Sequence, residues 1–300
     1  MIISASRRTD IPSFYSDWFM NRLRAGYVLT KNPMNPSQIS RIALTTSNID
    51  CIVFWTKDPA PMLDQLSTID EMGFPYYFQF TLTPYGRELE TNLCEREERI
   101  STFIKLSKRI GSHRVIWRYD PIILNKTLTM DVHLQAFREL SSQLCGYTDL
   151  CIISFVDIYQ KLSKKVKEEL GGSNSEEELR QLAVALHKIS AEHKIELKAC
   201  CEPIDLTTEG IGRSSCIDGY LIERITGKQI KKKTDKNQRS GCGCIQSVDI
   251  GVYNTCHHGC TYCYANHSEA SIIKNISLHN PNADSMLGSV SSDAKIIDRK

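Results

Sequence analysis

Along the first 200 residues, hydrophobic positions switch repeatedly between short dense runs and runs spaced near 3.6 residues. The dense runs are β-branched or aromatic: "IISAS" (2–6), "CIVFW" (51–55), "YYFQFTL" (76–82), "RVIWRY" (114–119), "CIISFVD" (151–157) and "IELKACC" (195–201). Each reads as a strand. The spaced runs read as amphipathic helices, most clearly Leu179, Leu182, Ala183, Leu186 and Ile189, with Ser175 and Glu178 placed as a capping box before them. Ile100, Phe103, Ile104 and Ile110 form a second stripe, and Ala136, Phe137, Leu140 and Leu144 a third. These stripes need only a core to face.

Strands alternating with helices predict βα units around a parallel sheet. "SVDIGVY" (247–253) adds a seventh strand and "RIAL" (41–44) a short eighth. An α/β fold of the (β/α) barrel type, TIM-like and complete or nearly so, fits this pattern better than an open doubly wound sheet. The regularity ends after residue 202, where the chain becomes rich in Gly, Ser, Thr and charge. The predicted division is therefore barrel repeats over 1–202 and a cysteine-rich region over 203–300 that completes the barrel within one integrated domain. Lys231, Lys232, Lys233 and Lys236 read as a solvated loop, with a phosphate-contacting patch as the alternative. The polar residues 278–300 read as a tail or a lid.

A composition of 41% hydrophobic and 24% charged residues is that of a globular chain and excludes a disordered or fibrous one. The net charge of +2 provides no whole-protein field for nucleic acid or membrane, so an acidic partner must meet a local patch. The opening "MIISASRRTDIPSFY" has no basic stretch ahead of a long apolar one, and no run of about 18 apolar residues occurs. The expectation is a cytoplasmic protein that spans no membrane. In that reducing compartment twelve cysteines point to metal or redox chemistry rather than to a disulfide framework. Cys51, Cys94, Cys145 and Cys151 are scattered and read as small buried hydrophobes, whereas the other eight fall in the last third.

In a (β/α) barrel the carboxyl ends of the strands face the active-site mouth. Here those ends carry Arg7, Arg8 and Asp10, then Lys57 and Asp58, then Gln79, Thr81 and Thr83, then Arg118 and Asp120, then Asp157, and last Cys201 and Glu202. Singly, each fits a surface ion pair. Arg118 is harder to dismiss, because "VIWRYDP" is otherwise apolar and an unpaired guanidinium there is costly. Asp120, Asp157, Glu202 or an anionic ligand are its expected partners. Arg7, Lys57 and Arg118, if they converge, suit a carboxylate or phosphate. With Asp120 and Glu202 they form the candidate set for binding a cofactor or substrate.

The densest chemistry is "NTCHHGCTYCYAN" (254–266), with Cys256, Cys260 and Cys263 spaced C-x3-C-x2-C. Three thiolates at this spacing can reach three irons of a cubane and leave the fourth open to a ligand. The loop "CHHGCTYCYAN" resembles that of the radical S-adenosylmethionine enzymes, especially the spore-photoproduct-lyase-like branch. The resemblance implies a [4Fe-4S] cluster on Cys256, Cys260 and Cys263, with S-adenosylmethionine on the open iron and Tyr262 beside its adenine. Reductive cleavage would then give a 5'-deoxyadenosyl radical, fed by a one-electron donor such as a ferredoxin or flavodoxin, acting on a small-molecule or nucleobase substrate. The chain has no Gly-Gly-Glu stretch after a strand, the usual amino-group site of that superfamily. "SASRRTDIP", "VFWTKDPAPM", "YYFQFTLTPYG", "VIWRYDPI" and "CGC" also resemble a functionally uncharacterised prokaryotic family over nearly the full length.

In the superfamily the cysteine loop follows the first strand, and here it comes near the end. A circular permutation accounts for this and places residues 1–6 beside 247–253 in the sheet. Cys201, Cys216, Cys242 and Cys244 suffice for a second, fully ligated cluster, with Cys200 as a substitute for Cys201. A structural zinc site on some of the same thiolates, with His257, His258 or His267 as further ligands, stays open. Two other function classes therefore remain: an iron-sulfur electron-transfer or redox-sensing protein, and a zinc-stabilised module binding nucleic acid through Lys231 to Arg239.

Overall fold

The apolar runs enter a single sheet. The computed structural model describes residues 1–32, 35–159, 164–171, 174–239, 241–290 and 294–299. Its strands are β1 (Ile2–Ala5), β2 (Tyr27–Asn32), β3 (Asn35–Ala43), β4 (Cys51–Thr56), β5 (Tyr76–Thr81), β6 (Val115–Ile122), β7 (Leu150–Phe155), β8 (Glu196–Ala199), β9 (Gly212–Arg213), β10 (Val248–Asp249) and β11 (Ile296–Arg299). The helices are α1 (Ile11–Phe14), α2 (Ser16–Ala25), α3 (Leu66–Glu71), α4 (Arg96–Ile110), α5 (Met130–Leu144), α6 (Lys164–Leu170), α7 (Glu176–Glu192), α8 (Gly219–Thr226) and α9 (Glu269–Ser277). Ser175 and Glu178 do cap α7 reciprocally, at 3.2 and 2.8 Å.

Eight strands pair in parallel in the order β10-β1-β4-β5-β6-β7-β8-β9. No ladder joins β9 to β10 among the described residues. Ile3 stands opposite both Val248 and Ile52, so the start of the chain lies between a strand near its end and β4. That is the adjacency expected of residues 1–6 and 247–253. Strands from both sides of residue 202 share this sheet.

Period-two alternation divides the strand residues between two faces. Ile3, Phe54, Phe78, Phe80, Trp117 and Ile153 join the stripes of α2, α4, α5 and α7 in one large core. Ile2, Cys51, Val53, Tyr77, Ile116 and Ile152 face the other way and meet Cys200, Cys216, Ile217, Leu221, Ile222, Cys244 and Ile245. Helices α2, α4, α5 and α7 thus cover one face, and the chain from 216 to 245, with α8, fills the other.

Two expectations change. Residues 41–43 do not enter the main sheet; they belong to β3, in a second sheet of order β11-β3-β2. β2 and β3 are close in sequence and pair antiparallel from Tyr27 and Ala43 onward, as a hairpin does, while a parallel place needs a long crossover. The eighth place in the main sheet goes to β9. The polar end is also more than a tail. Trp18 Nε1 donates to the Ala283 carbonyl at 3.0 Å, Arg22 pairs with Asp284 at 2.7 Å, and β11 runs parallel to β3. Residues 291–293 and 300 lie outside the described residues.

Among the scattered cysteines, Cys51 and Cys151 are buried as expected, but Cys145 is exposed at the end of α5 and Cys94 is half-buried. No described helix is long and apolar enough to cross a membrane.

Candidate functional site

The cysteine loop rests on the carboxyl ends of β1, β4 and β5, and a buried carboxylate fastens it there. Glu90, after β5, bridges Cys260 in an antiparallel pair, and Thr261 N–H donates to the Leu89 carbonyl at 3.0 Å. The Glu90 carboxylate accepts from Lys57 Nζ at 2.7 Å, Thr83 Oγ1 at 2.9 Å, Tyr262 OH at 2.5 Å and Arg99 Nη1 at 3.3 Å. Burial opposes charge on Lys57 and Glu90 alike. Their mutual attraction outweighs it, holding Lys57 above and, with Arg99 adding, Glu90 below its ordinary value.

Asp10 supplies a second anchor. Its Oδ1 caps α1 by accepting from Ser13 N–H at 3.0 Å. Its Oδ2 accepts from Lys57 N–H at 2.7 Å, Thr56 Oγ1 at 3.1 Å and His258 Nε2 at 2.8 Å. The His258 ring also packs on Phe14 at 4.6 Å. Asn92 completes the cradle, donating through Nδ2 to the His257 carbonyl at 2.7 Å and through N–H to that of His258 at 3.0 Å. Burial raises the Cys256 thiol, and Asp10, Cys260 and Cys263 raise it further. Within the same loop His258 Nδ1 and Thr261 Oγ1 are buried without a hydrogen-bond partner.

Asp249 ties β10 to β1. It accepts from Ser4 Oγ at 2.8 Å, Ser6 Oγ at 2.6 Å, Arg7 N–H at 2.8 Å and Gly251 N–H at 3.0 Å. Gly251 has to be small, because a Cβ there would lie 2.1 Å from Ser6 Oγ.

A second group of sulfurs, the inner group, sits on the sheet face that residues 216–245 fill. Cys200 Sγ lies 3.0 Å from Cys216 Sγ, and Cys244 and Cys242 pack in the same cluster. Arg118 Nη1 donates to Cys216 Sγ at 2.8 Å. Hydrogen bonds from Cys200 and Cys244, joined by the Arg118 charge, pull Cys216 well below its ordinary value despite burial. Cys201 does not take the contact that Cys200 makes: it turns at φ 59° and lines a pocket with Glu202, Ile204 and Ser214. Among the described residues, no three His, Cys, Asp or Glu side chains surround a ready-made ion position.

The candidate cations separate. Arg7 and Arg118 both lie against the Trp55 ring, at 5.4 and 5.8 Å, while Lys57 is held in the Glu90 network. Arg118 pairs with Asp120, which also accepts from Ser154. Asp157 pairs with Arg239 instead. Glu202 Oε1 accepts from Phe155 N–H at 3.0 Å, and burial raises its pKa to about 7. Tyr262 is buried against Tyr85 and bonded to Glu90; Tyr264 is the loop's exposed aromatic, its hydroxyl 2.5 Å from the Arg7 carbonyl. In the lysine run, Lys232 is paired with Glu223 at 2.6 Å, and Lys231, Lys233 and Lys236 are exposed.

Residues 2–265 match the family described as Domain of unknown function (DUF1848). The chain belongs to that family. No curated protein matches it. The DUF1848 match runs from β1 through Cys263, so both groups of cysteines lie within it and α9 and β11 lie beyond it.

Within the DUF1848 region, sequence reasoning missed Glu90, Asp249, Trp55 and the Asp10–His258 pair. Asp249 had a usable signal, since it is a carboxylate inside the apolar run "SVDIGVY", the same reason that singled out Arg118. Glu90 had none, because "GRELETNLCERE" reads as an ordinary charged surface.

Proposed function

We propose that the protein is an iron-sulfur enzyme of the radical S-adenosylmethionine type, with a [4Fe-4S] cluster on Cys256, Cys260 and Cys263 and a small-molecule or nucleobase substrate. The observation that carries this reading is the C-x3-C-x2-C loop fixed at the strand ends by Glu90 and Asp10, with His258 Nδ1 and Thr261 Oγ1 buried and unpartnered within the same loop. The donor set fits the group. Three soft thiolates suit iron-sulfur and leave one iron open, and the Lys57 charge opposes that of Glu90 beside Cys260. When bound, such a cluster supplies one electron for reductive cleavage of S-adenosylmethionine.

The chain's own residues then have definable tasks. Glu90 holds Cys260 and Tyr262 in place, and Asp10 orients His258. Arg7 is the cation best suited to an anionic group: among the described residues its guanidinium makes one side-chain hydrogen bond, 3.4 Å to Ser247 Oγ, and no ion pair. Arg118 and Lys57, neutralised by Asp120 and Glu90, set the local field instead. We read the parallel sheet, with α2, α4, α5 and α7 on one face, as that of a partial (β/α) barrel, circularly permuted so that β10 precedes the loop as a first strand and β1 follows as a second. A ferredoxin or flavodoxin of the cytoplasm would supply the electrons.

The test is anaerobic protein reduced with dithionite and given S-adenosylmethionine. The expected result is a changed electron paramagnetic resonance signal and formation of 5'-deoxyadenosine, both absent from Cys260→Ala. A signal that S-adenosylmethionine leaves unchanged, with no deoxyadenosine, would make this an electron-transfer or redox-sensing protein. Zinc without sulfide would make it a metal-stabilised binding module, including one for nucleic acid.

A further inference from the structure

The sulfurs of the inner group stand where the main sheet stops. Cys200 follows β8, Cys216 follows β9, and Cys242 and Cys244 precede β10. One backbone hydrogen bond, Ile245 N–H to the Ile217 carbonyl at 3.1 Å, already joins the segments flanking the two edges. The four thiols are free: Cys200 and Cys216 touch at 3.0 Å, and Cys244 and Cys242 pack with them amid Tyr77, Ile217, Leu221 and Ile245.

Two of the sulfurs are already placed as acceptors. Cys216 Sγ receives Arg118 Nη1 at 2.8 Å, and Cys244 Sγ receives Ile217 N–H at 3.4 Å. Amide and guanidinium bonds of this kind stabilise thiolate rather than thiol. Nearby, Trp55 Nε1 and Gln79 Oε1 are buried without partners, although Gln79 Nε2 donates to the Cys216 carbonyl at 2.8 Å. Arg7 adds positive charge facing Cys244 and Cys216.

We propose that Cys200, Cys216, Cys242 and Cys244 form a tetrathiolate site for one thiophilic divalent ion, Zn2+ or Fe2+, which clasps the two edges of the sheet. A tetrahedral ion about 2.3 Å from each sulfur sets the sulfurs about 3.8 Å apart, a little wider than the 3.0 Å that now separates Cys200 from Cys216. A cubane needs its ligands spread well beyond contact. Each thiol that binds gives its proton to solvent, and the resulting dianionic centre faces Arg118 and Arg7. Cys200, not its neighbour Cys201, is the ligand. This site is independent of the 256–263 loop.

The full chain carrying Cys256→Ala, Cys260→Ala and Cys263→Ala together, purified without oxygen, separates the two sites. The expected content is one zinc or iron per chain with no acid-labile sulfide, and Co2+ exchanged into it gives the visible spectrum of a tetrahedral thiolate. Adding Cys216→Ser or Cys200→Ser abolishes that ion, while adding Cys201→Ala retains it. Should the loop variant fail to fold, the wild type answers the same question, with one metal ion in excess of its sulfide count. Equal iron and sulfide at the inner group, two disulfides in place of an ion, or no metal at all would overturn the proposal. Failure of the loop reading alone would leave this ion in place.

Discussion

The two groups of cysteines are held in opposite ways. The loop at the strand ends is gripped by charge: Glu90 between Lys57 and Arg99, and Asp10 against His258. The inner group is enclosed by apolar side chains, and its sulfurs touch each other and Arg118. A centre that must keep an open position and meet small ligands needs a rigid polar frame around a reachable face. A permanent ion that ties chain segments together needs burial and full ligation. The contrast accords with the proposed cluster chemistry at the first group and the proposed cohesive ion at the second.

The strongest way to break the contrast is to remove the pivot of the first group. Glu90→Ala leaves Lys57 and Arg99 buried without their carboxylate and is expected to cost about 3–5 kcal/mol, read by urea unfolding. Iron at the loop should fall with it, while the ion at the inner group persists. Loss of both together would erase the distinction. Asp249→Asn comes next. It weakens three hydrogen bonds that tie β10 to the β1 segment and a fourth from Gly251, and should cost about 2–3 kcal/mol in the same measurement.

A smaller effect tests a buried histidine separated from the loop's Tyr262 by the ring of Tyr85. Buried His133 lies between the Tyr119 hydroxyl at 2.9 Å and the Ile123 carbonyl at 2.8 Å, and burial keeps its pKa below the ordinary 6.5. The unfolded chain therefore takes up the proton first as pH falls. The stability due to neutral His133 is complete above about pH 6.5 and declines as pH drops from there toward the folded value. Melting temperature should fall between about pH 7 and about pH 5.5, with a shallower slope in His133→Gln. The smallest effect belongs to Lys231→Glu with Lys233→Glu. Both residues are exposed on the segment that carries the inner cysteines, so stability should change by no more than about 0.5 kcal/mol and metal content not at all.

Much of the frame was legible in the chain. The runs at 51–55, 76–82 and 151–157 became β4, β5 and β7 because their composition and length agree with a buried strand, and the stripe at 179–189 became α7 with its capping box intact. The adjacency of β1 and β10 followed from asking where a late cysteine loop finds its neighbouring strand. The hairpin of β2 and β3 escaped, since "KNPMNPSQ" carries two prolines and little apolar alternation. The pivots of the site escaped for another reason. A carboxylate buried between two cations has the same local sequence as one in water, so only the fold distinguishes Glu90 from Glu88 or Glu95. Cys200 and Cys201 could not be ranked from strand alternation, because β8 ends at Ala199 and the turn at Cys201 sets their directions.

The central claim is that the 256–263 loop holds an iron-sulfur cluster, and the most direct test is iron and acid-labile sulfide per chain in anaerobically purified wild type and in Cys260→Ala. The account predicts about four irons and four sulfides on the loop of the wild type, with sulfide lost from the variant. Wild type without sulfide, or sulfide unchanged in Cys260→Ala, would contradict it.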